Sequence, residues 1–256
     1  MPDETFAIDL NSDLGEGFGP FRVGADEALF PLISSANVAC GYHGGDALMM
    51  ERTVARAIDA GVGIGAHPGF PDRLGFGRRT MQCTAAEIRA DVIYQVGALA
   101  AFCRAAGTSL QHVKAHGALY NLAVHDPVVA EAIADGVASV DPDLLFFAIP
   151  GTALADAGTA AGLRVVCEAF ADRAYLADGS LVPRSRTGAV IEDLDQIGDR
   201  MVGLVRDGVI ETIDGEVIPM TADTICIHSD TPSAVAIAEA LTRRFAAEGI
   251  SIERPR

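Results

Sequence analysis

In Phe6-Ala7-Ile8-Asp9-Leu10-Asn11-Ser12-Asp13, the apolar Ile8 and Leu10 alternate with Asp9, Asn11 and Asp13. Successive side chains of a strand point to opposite faces. This stretch therefore reads as a strand with one apolar face and one polar, ionisable face. The alternation returns at 112–116, where Val113 and Ala115 alternate with His112, Lys114 and His116. It returns again at 224–230, where Ile225 and Ile227 alternate with Cys226, His228 and Asp230. The apolar faces call for a covering layer of helices. The polar faces become more ionisable toward the C-terminal strand ends, and in a parallel barrel those ends meet at one rim, where active sites are built. Polar residues serving only to meet solvent would be scattered over loops instead.

Outward from these three segments, further strands are predicted at 36–40, 62–67, 144–150 and 164–170. Helical patterns fall between most of them, at 46–60, 85–106, 127–139, 152–161, 193–207 and 232–248. Thr84 followed by Glu87 is a capping box, and Asp46 is a candidate N-cap. Gly61, Gly107, Gly162 and Gly249 each follow a helix, where a left-handed residue closes the last turn. Strand–helix alternation of this kind builds a parallel sheet. Seven such units predict an α/β fold, a TIM-like, seven-stranded (β/α) barrel. One hairpin interrupts the pattern, with strands at 209–213 and 216–220 around Asp214-Gly215, a type I′ turn signal. With no linker or repeat, residues 1–256 are expected to form a single domain.

Composition narrows the function. Half of the 256 residues are apolar, enough for a large core, and the net charge is −16. A general binder of nucleic acid or anionic membrane carries the opposite sign. No apolar run is long enough to span a bilayer, and residues 1–5 lack the basic-then-apolar pattern of a signal peptide, so a cytoplasmic location is expected. Five scattered cysteines contain no CxxC pair and read as buried free thiols. Of the nineteen Lys and Arg residues only Lys114 is a lysine, which makes it a candidate position for a compact ammonium, set against chance composition.

Six constellations fall at the predicted strand ends. The first, from Asp9 to Gly19, leads strand one into a glycine-rich turn and offers Asn11, Asp13 and Glu16 for hydrogen bonding or proton transfer. It is not a phosphate loop, since no Gly-Lys-Ser/Thr occurs anywhere in the chain. The second, Ala39 to Asp46, places His43 on a loop; the third, Gly65 to Arg79, joins His67 to a Gly- and Pro-rich lid bearing Arg78 and Arg79, either of which could meet a carboxylate. The fourth puts Lys114 and His116 on one strand face with Tyr120 and Asn121 beyond. The fifth joins Glu168 to a long, mostly non-helical excursion carrying Arg173 and Arg184, and the sixth holds His228 and Asp230.

In order along the chain, segments 9–19, 35–46, 65–79, 113–121, 168–191 and 225–234 resemble the successive motifs of the LamB/YcsF family. The resemblance implies a barrel related to those of polysaccharide deacetylases and glycoside hydrolases. It also implies a hydrolase component acting on a cyclic amide: ATP-dependent 5-oxoprolinase, which opens 5-oxo-L-proline (pyroglutamate) to L-glutamate in a multisubunit complex with partner subunits B and C. Lys114-Ala-His116 stands where the family usually has Lys-Pro-His, and His228-Ser-Asp230 where it has His-Gly-Asp; neither change removes an ionisable group. ATP would be consumed by the complex, since this chain has no recognisable site for it. The expected catalytic residues are Asp13, Lys114, His116 and Glu168, with Lys114 stabilising negative charge and the others moving protons. Asn11, His43, His67, Arg173, Arg184 and His228 are expected to bind substrate, an arginine taking its carboxylate. The alternative is a metal-dependent deacetylase or amidohydrolase acting alone, with Asp13, His43, His67 and His116 around a divalent metal. A third reading is a non-catalytic subunit whose rim docks a partner.

Overall fold

The structure is a computed structural model and describes residues 6–255. The chain order is β1 (Phe6–Leu14), α1 (Asp26–Leu29), β2 (Ser35–Ala39), α2 (Ala47–Ala60), β3 (Gly63–His67), α3 (Ala85–Ala105), β4 (His112–Val113), α4 (Gly117–Ala123) and α5 (Pro127–Val140). It continues with β5 (Leu145–Ala148), α6 (Ala153–Ala160), β6 (Arg164–Phe170), α7 (Leu194–Asp207), β7 (Val209–Glu211), β8 (Val217–Pro219), β9 (Thr224–Ile227), α8 (Ala234–Ala247) and β10 (Ile250–Ile252). Strands β1 to β6 and β9 are all parallel, and β9 closes the ring by pairing with both β6 and β1. The predicted seven-stranded barrel is what the chain forms.

Local chemistry explains much of it. Asp46 caps α2 by accepting from Met49 N at 2.9 Å. Thr84 and Glu87 form the expected box at the start of α3, with Thr84 N 2.7 Å from Glu87 Oε2 and Glu87 N 3.3 Å from Thr84 Oγ1. The large core lies between strands and helices, where Ile8, Leu10, Val113, Ile225 and Ile227 pack outward. A small apolar plug of Leu145, Phe147 and Val166 is separate from it. Among the described residues no helix is long and apolar enough to cross a membrane. Of the five free cysteines, Cys40, Cys103 and Cys226 are buried, whereas Cys83 and Cys167 are partly exposed, so the buried-thiol expectation holds for three.

Three local readings need correction. The β4 ladder ends at Val113 rather than 116, although Lys114 N and His116 N still bond to Ala66 O and Pro68 O at 3.0 and 2.8 Å. The extended chain thus continues along β3 alone. The hairpin at 209–220 is present, but its turn is not type I′, which needs positive φ at both central residues. Gly215 N bonds to Thr212 O at 3.1 Å and Gly215, not Asp214, takes positive φ, the pattern of a type I turn followed by a left-handed glycine. Finally, β10 pairs with Phe6–Ile8 below the reach of β9; three residues after Gly249 are too few to show a period.

Candidate active site

The polar strand faces fill the barrel interior in layers. At the floor, Asp9 on β1 accepts from Ser34 Oγ at 2.6 Å and Ser35 Oγ at 2.7 Å, and from the Thr224 hydroxyl. Burial pushes its carboxyl up to about 6, against the opposing effect of these hydroxyls. Above it, Asn37 on β2 donates to Asn11 Oδ1 at 2.7 Å and Asp13 Oδ1 at 2.9 Å, and His112 Nε2 donates to Asn37 Oδ1 at 2.8 Å. His112 stacks on Phe147 at 4.2 Å, and burial pushes it down to about 3.

Lys114 stands at the centre. Its Nζ lies 2.8 Å from Glu168 Oε1, 3.2 Å from Asp13 Oδ1, 2.9 Å from Cys226 Sγ and 3.3 Å from Asn11 Oδ1. Burial alone would lower the ammonium, but Asp13, Cys226 and Glu168 together hold it well above the ordinary lysine value. Glu168 is satisfied on both oxygens, by Lys114 and Asn11 on one and by Tyr120 OH at 2.9 Å on the other.

At the rim, a histidine cluster adjoins Asp13. His67 Nδ1 donates to Lys114 O at 2.8 Å, and His116 Nε2 donates to Phe76 O at 2.8 Å. Phe76 is the one non-glycine residue with positive φ among the described residues, at 55°, so the loop carries backbone strain where its carbonyl meets His116. Gly77 beside it permits this close approach: a Cβ there would lie 2.7 Å from His116 Cδ2 and from His43 Cβ. His43 is stacked on His116 with centroids 3.7 Å apart, and its Nε2 is 3.2 Å from Glu16 Oε1. Burial holds His43 well below, and His116 down at about 3, so both stay neutral near pH 7. Burial would also raise Asp13, but His67 and Lys114 keep it well below the ordinary carboxylate range. Burial and the Asp13 charge push Glu16 well up. Ligand atoms of Glu16, His43, His67 and His116 lie within 4.8 Å of one another, a set that could hold a metal ion; Asp13, Cys226 and His228 form a second such set.

A cavity of about 440 Å³ opens above Lys114 and takes Asp13, His67, His116, Tyr120, Arg184 and His228 into its wall. A larger, more open depression of about 850 Å³ lies at the opposite barrel end, around Gly63, Gln111 and Arg164. The ionisable network does not reach it, so size does not identify the site; convergence of strand C-termini does. The excursion after β6 folds across the mouth as a strap, pinned by bridges Arg173–Val190 and Tyr175–Leu181.

Most residues expected at the site gather here, in different positions. Asp13, Lys114, His116, His67, His228, Arg173 and Arg184 line the cavity, whereas Asn11, His43 and Glu168 lie behind its wall. Arg173 is buried and spends its guanidinium on Val182 O at 2.6 Å and Ala189 O at 3.4 Å, leaving exposed Arg184 as the freer cation. Arg78 and Arg79 do meet carboxylates, but from the chain itself: Arg78 pairs with Asp230 at 2.6 Å, and Arg79 forks onto Asp72. Asp230 is thus tied to the lid. Two further members of the network, Asn37 and Asp172, lie outside the residues expected from the sequence. Asn37 alternates with Ser35 in β2, a readable signal; Asp172, 3.4 Å from His228 Nδ1, follows β6 with no period to mark it.

The family model described as "LamB/YcsF family" matches residues 8–256. The chain is 50% identical over 248 residues to the A subunit of 5-oxoprolinase from Symbiobacterium thermophilum, covering 97% of this chain and 95% of that protein. It is 51% identical over 247 residues to the A subunit of 5-oxoprolinase from Bordetella pertussis, covering 96% of this chain and 98% of that protein. The crystal structure of the lactam utilization protein from Thermus thermophilus superposes with a TM-score of 0.93 at 46% identity, covering 96% of this chain and 99% of that one.

Proposed function

The chain belongs to the LamB/YcsF family, and on that premise we propose that it is the A subunit of an ATP-dependent 5-oxoprolinase, opening 5-oxo-L-proline to L-glutamate with partner subunits B and C. The observation that carries this is one small cavity with the buried Lys114 ammonium and Asp13 carboxylate at its base and Arg184 on its wall. A cation at the base and another on the wall of one small cavity suit a small lactam acid, with the carbonyl toward Lys114 and the carboxylate toward Arg184. Relatives of this chain across nearly its full length bear the same name.

A five-membered lactam is unreactive, and this sequence has no Gly-Lys-Ser/Thr phosphate loop. Activation of the amide oxygen by ATP therefore falls to the partners. ATP coupling and five unpaired cysteines agree with a cytoplasmic setting. In this chain's part of the reaction, water adds to the activated carbonyl carbon, the C–N bond breaks as the ring nitrogen takes a proton, and the acyl phosphate so formed loses inorganic phosphate to a second water to leave glutamate. Lys114 stabilises the negative charge that develops on oxygen. Asp13, which stays ionised beside it, accepts the proton from water. Glu168 and Tyr120 sit behind Lys114 and position it.

The test is ATP-dependent glutamate release from 5-oxo-L-proline by this chain alone, by subunits B and C, and by all three. Only the full set is expected to turn over. Release by the lone chain, or equal release without it, would overturn the proposal.

A further inference from the structure

The proton positions on two histidines follow from their neighbours. A backbone carbonyl can only accept, so Lys114 O fixes the proton of His67 on Nδ1, and Phe76 O fixes that of His116 on Nε2. A neutral imidazole carries one N–H. In the neutral tautomers that these carbonyls select, His67 Nε2 and His116 Nδ1 are both lone pairs, and they face each other at 3.0 Å. Two carboxylate oxygens join them: Glu16 Oε1 is 3.6 Å from His116 Nδ1, and Asp13 Oδ1 is 3.4 Å from His67 Nε2. Next to them His43 Nδ1 is buried without a hydrogen-bond partner. Buried ligand atoms of Glu16, His67 and His116, converging within 4.8 Å of one another, frame a place for one positive centre.

We propose that Glu16, His67 and His116 bind one divalent transition-metal cation at the barrel rim, bordered by His43 and Asp13. A neutral imidazole whose second nitrogen donates to a backbone carbonyl is the usual state of a metal-ligating histidine. Two imidazole nitrogens and a carboxylate oxygen match zinc and its neighbours rather than calcium or magnesium, which take oxygen ligands. Donors about 2.1 Å from a tetrahedral ion stand about 3.4 Å apart; the spacings here are 3.0 and 3.6 Å. The ligand set differs from the one expected from the sequence: Glu16 joins it, Asp13 is drawn aside by Lys114 and Asn37, and His43 borders the site instead of ligating. Three protein donors leave a position open toward the cavity, where a bound cation supplies Lewis-acid polarisation of a substrate oxygen.

The inference concerns binding and does not rest on the lactam reading. Chelator-treated chain is dialysed against zinc or cobalt(II), and bound metal is counted by elemental analysis. Histidine nitrogen resonances are followed during the zinc titration. About one equivalent is expected with roughly micromolar or tighter affinity, together with shifts of His67 Nε2 and His116 Nδ1. His67→Ala and His116→Ala are each expected to weaken binding by at least about 100-fold, with unchanged circular dichroism, while His125→Ala binds as the parent does. Less than about a tenth of an equivalent at ~0.1 mM free zinc, or binding that leaves both nitrogens unshifted, would overturn the site. Both readouts come from the parent chain, so a misfolded variant cannot blur them. Glutamate release by the reconstituted complex is scored separately and bears on the function alone.

Discussion

Lys114 Nζ stands 2.8 Å from Glu168 Oε1 and 3.2 Å from Asp13 Oδ1, so one ammonium joins the end of β6 to the end of β1 across the barrel. Lys114 is 3% exposed and Glu168 is fully buried. An ion pair in such a place costs several kcal/mol in desolvation and persists only when its partners are satisfied. Asn11, Tyr120 and Cys226 provide that satisfaction. The arrangement fixes an ammonium at the base of the cavity with only 3% of the residue exposed.

Lys114→Arg is expected to lower turnover of the reconstituted complex by about 10²–10³ while the chain still folds. The planar guanidinium keeps the charge but is too wide for the four-partner site of a compact ammonium. Thermal unfolding beside steady-state turnover checks it. Turnover within about threefold of the parent would show that Lys114 is not part of the chemistry.

Glu168→Gln removes one of the two carboxylates that hold Lys114, and breaking a buried pair costs about 3 kcal/mol or more. A drop in denaturant midpoint at unchanged m reads the loss. The sign of the pH effect follows from Lys114. Its folded pKa is raised, so its stabilisation is full below the ordinary lysine value and is lost as pH rises through the folded one. With Glu168 neutralised, alkaline unfolding is expected at a lower pH than in the parent.

The two arginines of the strap separate by phenotype. Arg184 is exposed and lines the cavity, so Arg184→Gln is expected to raise KM for 5-oxo-L-proline by about 10–100-fold, the loss of one charge-assisted hydrogen bond. The melting temperature stays put. Arg173→Ala instead leaves Val182 O without its partner and loosens the strap, lowering the melting temperature and kcat together. Equal KM effects in both variants would contradict the division.

Asp9 gives the fold an unusual pH slope. Its carboxyl is raised from 3.8 to about 6. The neutral form is favoured in the folded state, so this contribution is full below pH 3.8 and is lost as pH rises through about 6. Its size is about 3 kcal/mol at most, two pKa units at about 1.4 kcal/mol each. Stability measured from pH 4 to 7 is expected to fall further in the parent than in Asp9→Asn. Parallel curves would show that Asp9 ionises normally.

Calorimetric titration of the lone chain with ATP is expected to give no saturable micromolar binding. The expectation follows from the missing phosphate loop and the net charge of −16. A saturable isotherm would move the activating step into this chain.

The barrel and its polar lining were legible in the sequence because they depend on local periods. Ile8 and Leu10 against Asp9, Asn11 and Asp13 settle which face of β1 meets helices, and Thr84 with Glu87 settles where α3 begins. Such signals act over a few residues and survive without knowledge of neighbours. Who pairs with whom did not follow. Asp230 meets Arg78 across 152 positions of sequence, and Glu168 meets Lys114 only because barrel closure brings β6 and β4 to a common centre. Glu16 reads as a loop carboxylate until the turn after β1 carries it against His43 and His116. The facing lone pairs of His67 and His116 depend on two backbone carbonyls, one of them on Phe76 at φ 55°. No local preference encodes that backbone; the packing of the lid over the rim imposes it.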